Sequence, residues 1–219
     1  MKNNRKGGYE VSRSNDQDDS RQRLIRAGLV LFGARGLDGV STRELAAAAK
    51  VNQAAIPYHF GGKEGVYRAV ATYLAETMGI RLRALAATAI KPGDPDQRLR
   101  KLLAGFTLVI LDAPDPASRG GFIIREHLQP TGAFDILYEG FMKPLQDALS
   151  AIVAELEGSS VDEASTVFKA HALLGQVLSF GVARQLLYRR LGRASLTQAD
   201  VEAIAETVAS LGSRALRRG

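Results

Sequence analysis

Between Thr42 and Lys63 the chain gathers side chains suited to holding a nucleic acid. Arg43 and Lys63 carry positive charge, and Thr42, Tyr58 and His59 can each donate to a phosphate oxygen. Gln53 offers a donor and an acceptor side by side, the arrangement that matches the major-groove edge of adenine. Ala54 and Ala55 are small enough to lie on a thymine methyl. This is the chemistry of reversible binding. Candidates for bond-breaking chemistry are weaker. Arg125, Glu126 and His127 are consecutive, and helical neighbours splay by about 100°, so the three cannot converge on one point. No His-Glu-x-x-His pair, phosphate-binding loop or nucleophile-elbow pattern occurs. No catalytic residue, metal ligand set or cofactor is therefore expected.

The elements that must position residues 42–63 are short helices. Ser20 suits an N-cap, with Leu24, Ala27, Gly28, Leu31 and Phe32 following at helical spacing and Gly36 as the stop. Ser41 and Glu44 form a capping-box pattern, and Leu45, Ala46 and Ala49 make the buried side of the helix it opens. Asn52 can cap a third helix, which puts Gln53, Ala54 and Ala55 at its leading end. Counted from Asn52, Pro57 is the fifth helical residue, and loss of one main-chain bond predicts a distortion there. Two short helices at this spacing, with polar residues opening the second, are the form of a helix-turn-helix whose second helix enters the major groove. Lys63 then opens a longer helix, where its charge and the free amides attract phosphate. Residues 1–19 lack apolar periodicity and are expected to be a mobile arm, with Lys2, Arg5, Lys6 and Arg13 as possible backbone contacts.

Charge agrees with this placement. Residues 20–75 hold eight Lys and Arg against three Asp and Glu, whereas residues 76–219 hold 17 against 16. The excess of positive charge coincides with the groove-binding pattern. The 219-residue chain has no Cys, which excludes disulfides, a thiolate nucleophile and Cys-zinc sites. No apolar run approaches the ~18 residues of a membrane span, and no secretory signal pattern opens the chain. A cytoplasmic protein with no membrane partner is expected.

The remainder reads as helices, with no period-two strand pattern. The first helix of this part runs from Lys63 to about Ile90 and stops at Lys91-Pro92-Gly93-Asp94-Pro95. Asp94 and Pro95 cap the next, whose apolar face holds Leu99, Leu102, Leu103, Phe106, Val109 and Ile110. A segment over about 117–128 follows. Thr131 then caps a helix to about Leu156, Ser160 and Glu163 form a second capping box for a helix to about Leu191, and Thr197 with Asp200 opens the last.

Residues 21–70 resemble the DNA-binding domain of the TetR/AcrR family of bacterial regulators. The resemblance is carried by Phe32, Gly36, Thr42, Arg43, Leu45, Ala46, Ala49, Val51, Tyr58, Phe60, Lys63, Glu64 and Tyr67. Lys50 stands where the family usually has Gly, at a turn that calls for positive φ, and Pro57 replaces the more usual Ser or Thr. A second likeness runs through Phe122–Thr131, Phe134-Asp135, Tyr138-Glu139-Gly140 and His171–Gln176, which together are similar to a CerR-type C-terminal domain of one branch of these regulators.

The resemblance implies an all-α protein in which an N-terminal three-helix DNA-binding domain with a helix-turn-helix joins a helical ligand-binding and dimerisation domain. The expected division is 1–19 arm, 20–68 DNA-binding domain and 69–219 second domain. Phe106, Ile110, Phe134, Tyr138 and Met142 are candidates to line an apolar pocket with Arg125, His127 and His171 as its polar groups; core packing is the competing reading. The family builds its dimer from the last two helices, and the small residues Ala172, Gly175 and Ser179 with Leu186 form a candidate interface face. The implied function is a repressor, working as a homodimer on double-stranded operator DNA and released by a small-molecule effector. The rival is a helical ligand-binding module or enzyme that has lost DNA binding.

Overall fold

Helix α1 (Gly7–Arg35) turns Leu24, Ile25, Leu29 and Phe32 inward. It ends where Gly36 takes φ 73°, with the Gly36 amide on the carbonyl of Phe32 at 2.7 Å. The structure, a computed structural model, describes the backbone of residues 7–112 and 114–216 and, within these ranges, the side chains from residue 18 onward. Lys2, Arg5 and Lys6 of the expected basic arm lie outside the described residues, as does the side chain of Arg13. Ser20 does not cap a helix, because α1 continues through it towards Gly7. No proline or left-handed residue interrupts the stretch, and once a helix is anchored by its buried turns each added residue gains a bond without a new nucleus.

Helices α2 (Thr42–Ala49), α3 (Ala55–Phe60) and α4 (Lys63–Thr77) complete the N-terminal set. The expected single helix from Lys63 to Ile90 is broken at Met78, and α5 (Gly79–Ala89) follows. A Cβ on Gly79 would lie 2.9 Å from the carbonyl oxygen of Gly140, an approach that only glycine permits. After α6 (Pro95–Leu111), capped by Asp94 through Gln97 N at 3.1 Å, come α7 (Pro116–Leu128) and α8 (Gly132–Leu137). The helix expected from Thr131 to Leu156 is three consecutive pieces: α8, a π turn (Tyr138–Met142) and α9 (Lys143–Glu157).

The second expected capping box does not form. α10 (Ala164–Val182) starts after Glu163, whose carboxylate accepts from Ser165 Oγ at 2.7 Å. Nor does one helix reach Leu191: α11 (Arg184–Leu191) departs from α10 at a 61° bend. The Thr197–Asp200 box does form, with Thr197 N to Asp200 Oδ2 at 2.9 Å and Asp200 N to Thr197 Oγ1 at 3.2 Å, and it opens α12 (Gln198–Leu216). The described residues contain helices and no strand, and among them no single helix is long and apolar enough to cross a membrane.

The chain forms two compact units. One comprises Met1–Tyr73 with Ala117–Ile136, and the other Leu74–Pro116 with Leu137–Gly219. Segment 117–136, which the expected division gives to the second domain, thus belongs to the unit that carries the helix-turn-helix, attached through α1 and α4. Its attachment is specific. Carbonyl oxygens of Gly33 and Ala34, left without helical partners at the end of α1, accept from the Arg125 guanidinium, the first at 3.2 Å. Glu126 is 1% exposed and accepts from the Tyr67 hydroxyl at 2.7 Å, from Thr131 N at 3.0 Å and from the Thr131 hydroxyl. Burial pushes the Tyr67 phenol well above its ordinary pKa, and the hydrogen bond to Glu126 adds to the shift. The Tyr67 ring stands 5.0 Å from Phe32 and 4.6 Å from Phe122, both fully buried.

In the second unit, α6 packs along α12, where Gly212 leaves room for Leu103 and Leu173. Ser213 Oγ donates to Asp96 across the same contact. The π turn lays Gly140 against Ala75, and Arg83 donates to the Gly140 carbonyl. Leu145, Leu149, Ile152 and Val153 of α9 fill the centre.

Two outcomes test this account. Tyr67→Phe removes a donor from a buried carboxylate and should lower unfolding free energy by about 1–3 kcal/mol, read as a shift of the urea midpoint. A midpoint equal to the parent's would show that Glu126 does not depend on the phenol. Lys50, at the turn after α2, has φ 54°. Lys50→Gly should raise stability by about 0.5–1 kcal/mol, the relief of left-handed strain exceeding the added freedom of the unfolded chain.

Candidate nucleic-acid interface

The α2–α3 pair is built by local chemistry. Ser41 Oγ accepts from Glu44 N at 3.2 Å while the Glu44 carboxylate accepts from Ser41 N at 2.8 Å, so the expected capping box closes in full. The bond from the Ser41 amide, with Arg35 Nη1 at 2.7 Å, holds the Glu44 carboxyl well below its ordinary value, at about 2. The Arg35–Glu44 pair also fastens the end of α1 to the start of α2. Lys50 closes α2 in the left-handed conformation anticipated at this turn, with Lys50 N on Ala47 O at 3.1 Å and Val51 N on Ala46 O at 3.0 Å.

The third helix starts later than the sequence suggests. Asn52 Oδ1 accepts from Ala54 N at 2.9 Å, an Asx turn that precedes the helix, and Ala54 occupies the cap position of α3. Pro57 is then the third helical residue. Amides in the first turn have no partner within the helix, so the proline sacrifices nothing and the expected distortion is relieved. Ile56 is fully buried and anchors the short helix, while Gln53, Ala54 and Tyr58 face solvent, Tyr58 at 70% exposure.

The structure brings most of the expected binding residues onto the α2–α3–α4 assembly. Thr42 is the first residue of α2 and Arg43 beside it is exposed. Gln53 Nε2 donates to Thr42 Oγ1 at 3.0 Å, a bond across the turn that residue spacing does not announce. Tyr58 and His59 meet edge to face with ring centroids 4.9 Å apart. Lys63 is the first residue of α4. Arg21 of α1, absent from the expected set, lies over the Phe60 ring at 5.6 Å from its centroid.

The residues expected to form an effector pocket divide between the two units. Arg125, His127 and Phe134 belong with the helix-turn-helix, and Phe106, Ile110, Tyr138, Met142 and His171 belong to the other unit. Arg125 is engaged by the end of α1, so its charge is answered by backbone carbonyls. His127 Nδ1 lies 2.9 Å from the Ile123 carbonyl, and its ring stands edge-on to Phe134 at 5.8 Å. Phe106 is buried on α6, and Ile110 packs towards Gly181 of α10. Tyr138 and Met142 sit in the π turn. His171 is exposed on α10. An open groove of about 820 Å³ lies elsewhere, lined by Gln185, Leu186, Tyr188, Arg189, Gly192, Arg193 and Ala194. The described residues contain no group of three or more His, Asp or Glu able to hold a metal ion.

Three of the candidate dimer residues, Ala172, Gly175 and Ser179, lie along one exposed face of α10. Phe168, Ala172, Gly175, Ser179 and Val182 recur at helical spacing along the solvent face of α10, with Phe168 71% and Val182 57% exposed. Leu186 of α11 is 66% exposed. A Cβ at Gly175 would meet nothing within 4 Å.

Comparison with known proteins agrees with this geometry. Residues 24–70 match the bacterial regulatory proteins of the tetR family. Residues 95–217 match the C-terminal domain of the HTH-type transcriptional dual regulator CecR, which is the correct name for the CerR-type likeness. The CecR of Shigella flexneri is 31% identical over 198 residues, covering 87% of this chain and 88% of that protein. Among solved structures, PfmR of Thermus thermophilus superposes with a TM-score of 0.64 at 19% identity, covering 89% of this chain and 95% of its own. AibR, crystallised with isovaleryl coenzyme A and operator DNA, superposes with a TM-score of 0.63 at 20% identity, covering 88% and 97%. These two likenesses concern the fold. The family matches and the full-length relative carry the assignment: this chain is a transcriptional regulator and not an enzyme, and it belongs to the TetR family, in the branch that carries a CecR-type C-terminal domain.

Proposed function

We propose that the protein is a cytoplasmic homodimer that represses transcription by occupying operator DNA and leaves it when a small molecule binds the second unit. The observation that carries the reading is the exposed surface at the α2–α3 turn. There Gln53, Ala54 and Tyr58 stand clear of the core while Ile56 fixes the helix behind them. In this reading Thr42, Tyr58, His59 and Lys63 hold phosphates, and Arg43, Gln53, Ala54 and Ala55 meet base edges. AibR offers a precedent for one fold engaged by both an organic ligand and operator DNA. The relative from Shigella flexneri bears the name of a transcriptional dual regulator, so an output besides repression is to be sought here.

The effector acts by preferring one spacing of the paired recognition helices, since two half-sites are read in major grooves about 34–36 Å apart. Equal affinity for both spacings would shift nothing, however tight the binding. Phe106, Ile110, Tyr138 and Met142 remain the pocket residues to probe; Arg125 is set aside because the end of α1 uses it.

The anchoring role of Lys63 is tested by titrating duplex DNA at several salt concentrations. Lys63→Ala should weaken binding to all sequences alike and flatten the log–log salt slope by about one. A changed base preference with the slope unaltered would remove Lys63 from the phosphate contacts. Binding that ignores salt in the parent protein would favour the rival, a ligand-binding module without DNA function.

The dimer is assigned to the apolar stripe of α10, an exposed surface that a second copy would cover. Because the space at Gly175 is open in the single chain, Gly175→Leu should fold normally yet sediment as a monomer at micromolar concentration. Operator binding should fall with it, since two linked half-site contacts become one. An undiminished dimer would place the interface elsewhere.

A further inference from the structure

We infer that Thr42 is a specificity-determining residue as well as a phosphate contact, because its hydroxyl decides which way the Gln53 amide faces the base. The inference rests on the proposed DNA-binding reading and deepens it. Its basis is the bond from Gln53 Nε2 to Thr42 Oγ1 at 3.0 Å, between two side chains at the solvent-facing turn of the helix-turn-helix.

The chemistry follows from counting protons and lone pairs. A threonine hydroxyl has one hydrogen and two lone pairs, and a glutamine amide has two N–H donors and one acceptor oxygen. Two arrangements can hold the pair together. In the first, the amide nitrogen donates to the hydroxyl oxygen and the hydroxyl hydrogen stays free. In the second, the amide is turned over and the hydroxyl hydrogen is spent on Oε1. Only the first leaves Thr42 able to donate to a phosphate while it keeps Gln53. When Thr42 binds the backbone, the amide is therefore fixed with Oε1 and its second N–H directed away. That remaining acceptor and donor match N6–H and N7 of adenine. The turned-over amide would break the Thr42 phosphate contact or the Thr42–Gln53 bond. Backbone contact and base reading are thereby linked: seating on the duplex selects the amide orientation that reads adenine.

Local architecture supports the linkage. Thr42 is the first residue of α2, held by the Ser41–Glu44 box, so its hydroxyl is carried on a fixed backbone. Gln53 lies just before α3, and the carbonyl of Gln53 accepts from Ile56 N at 3.1 Å, which fixes its main chain too. The freedom that remains is rotation of the glutamine side chain, and the Thr42 hydroxyl restrains it.

The test compares the parent with Thr42→Val, Thr42→Ser, Gln53→Ala and the Thr42→Val/Gln53→Ala double variant, with circular dichroism to confirm folding. Each binds a library of duplexes derived from a genomic fragment selected by the parent, at two salt concentrations. Thr42→Val should lose preference at the same position of each half-site as Gln53→Ala, by roughly tenfold if the bidentate pair forms. The double variant should lose no further preference there, and Thr42→Ser should restore it. Thr42→Val should also weaken binding to every duplex through loss of its phosphate contact, with the salt slope unchanged because a hydroxyl carries no charge, whereas Gln53→Ala alone alters preference at its one position. If Thr42→Val weakens every sequence equally while Gln53→Ala alters one position, the proposal is overturned and the DNA-binding reading stands. If Gln53→Ala alters no position, Gln53 does not read bases and the proposal falls with that assignment. A parent protein without salt-dependent duplex binding overturns both readings.

Discussion

A carboxylate withdrawn from water must be supplied with donors, and Glu126 obtains them from two directions. The Tyr67 hydroxyl reaches it from α4, and the Thr131 amide and hydroxyl close over it from the turn after α7. Losing any one would leave charge or lone pairs stranded in a site that is 1% exposed. Arg125, one residue earlier, takes up the last carbonyls of α1. Adjacent residues on one helix thus serve different neighbours, as their angular separation requires. Together they make α7 a structural member of the unit that carries α2 and α3. The aromatic contacts of Tyr67 with Phe32 and Phe122 fill the space around the polar pair, so the charge is held inside an apolar frame.

The interface surface depends on that frame at one remove. α3 has only six residues, too few to persist unaided. Its orientation comes from the buried Ile56, from the Asx turn at Asn52 and from α2, which is itself tied to α1 by Arg35 and Glu44. The side chains on this surface are thus carried on a backbone that is already ordered. Preorganisation of this kind reduces the ordering cost of binding.

Much of this is legible in residue order, and the exceptions share a cause. The Ser41–Glu44 box, the Gly36 stop, the Asp94-Pro95 start and the Thr197–Asp200 box are all decided within four residues, and each forms. Ser160 and Glu163 have the same spacing and form no box, since α10 begins only after Glu163. α1 runs through a good cap at Ser20 because no stop precedes it. Pro57 changes from a distorting residue to a harmless one because the helix is capped at Ala54 and not at Asn52. The break at Met78 lies beside the approach of Gly140 to Gly79, which spacing does not encode, and the bend after Val182 has no stop signal in the residue order. At the candidate site, residue types mark a polar face that the structure leaves largely exposed, whereas the Thr42–Gln53 bond joins residues 11 apart and depends on the turn between them. Arg125 and Glu126 are visible in the sequence as charges needing partners; the partners, 91 and 59 residues away, are not.

The crossing of α1 and α7 beside Arg125 carries an evolutionary consequence. A Cβ on Gly33 would lie 2.4 Å from the Ser118 carbonyl oxygen, and one on Gly121 would lie 2.5 Å from that of Gly33. Backbone meets backbone there, so alanine is already too large and no conservative replacement exists at either position. A lineage cannot adjust this joint by small steps through the glycines themselves. Gradual change must come through flanking side chains, and any larger residue at Gly33 or Gly121 must arrive together with a displaced helix.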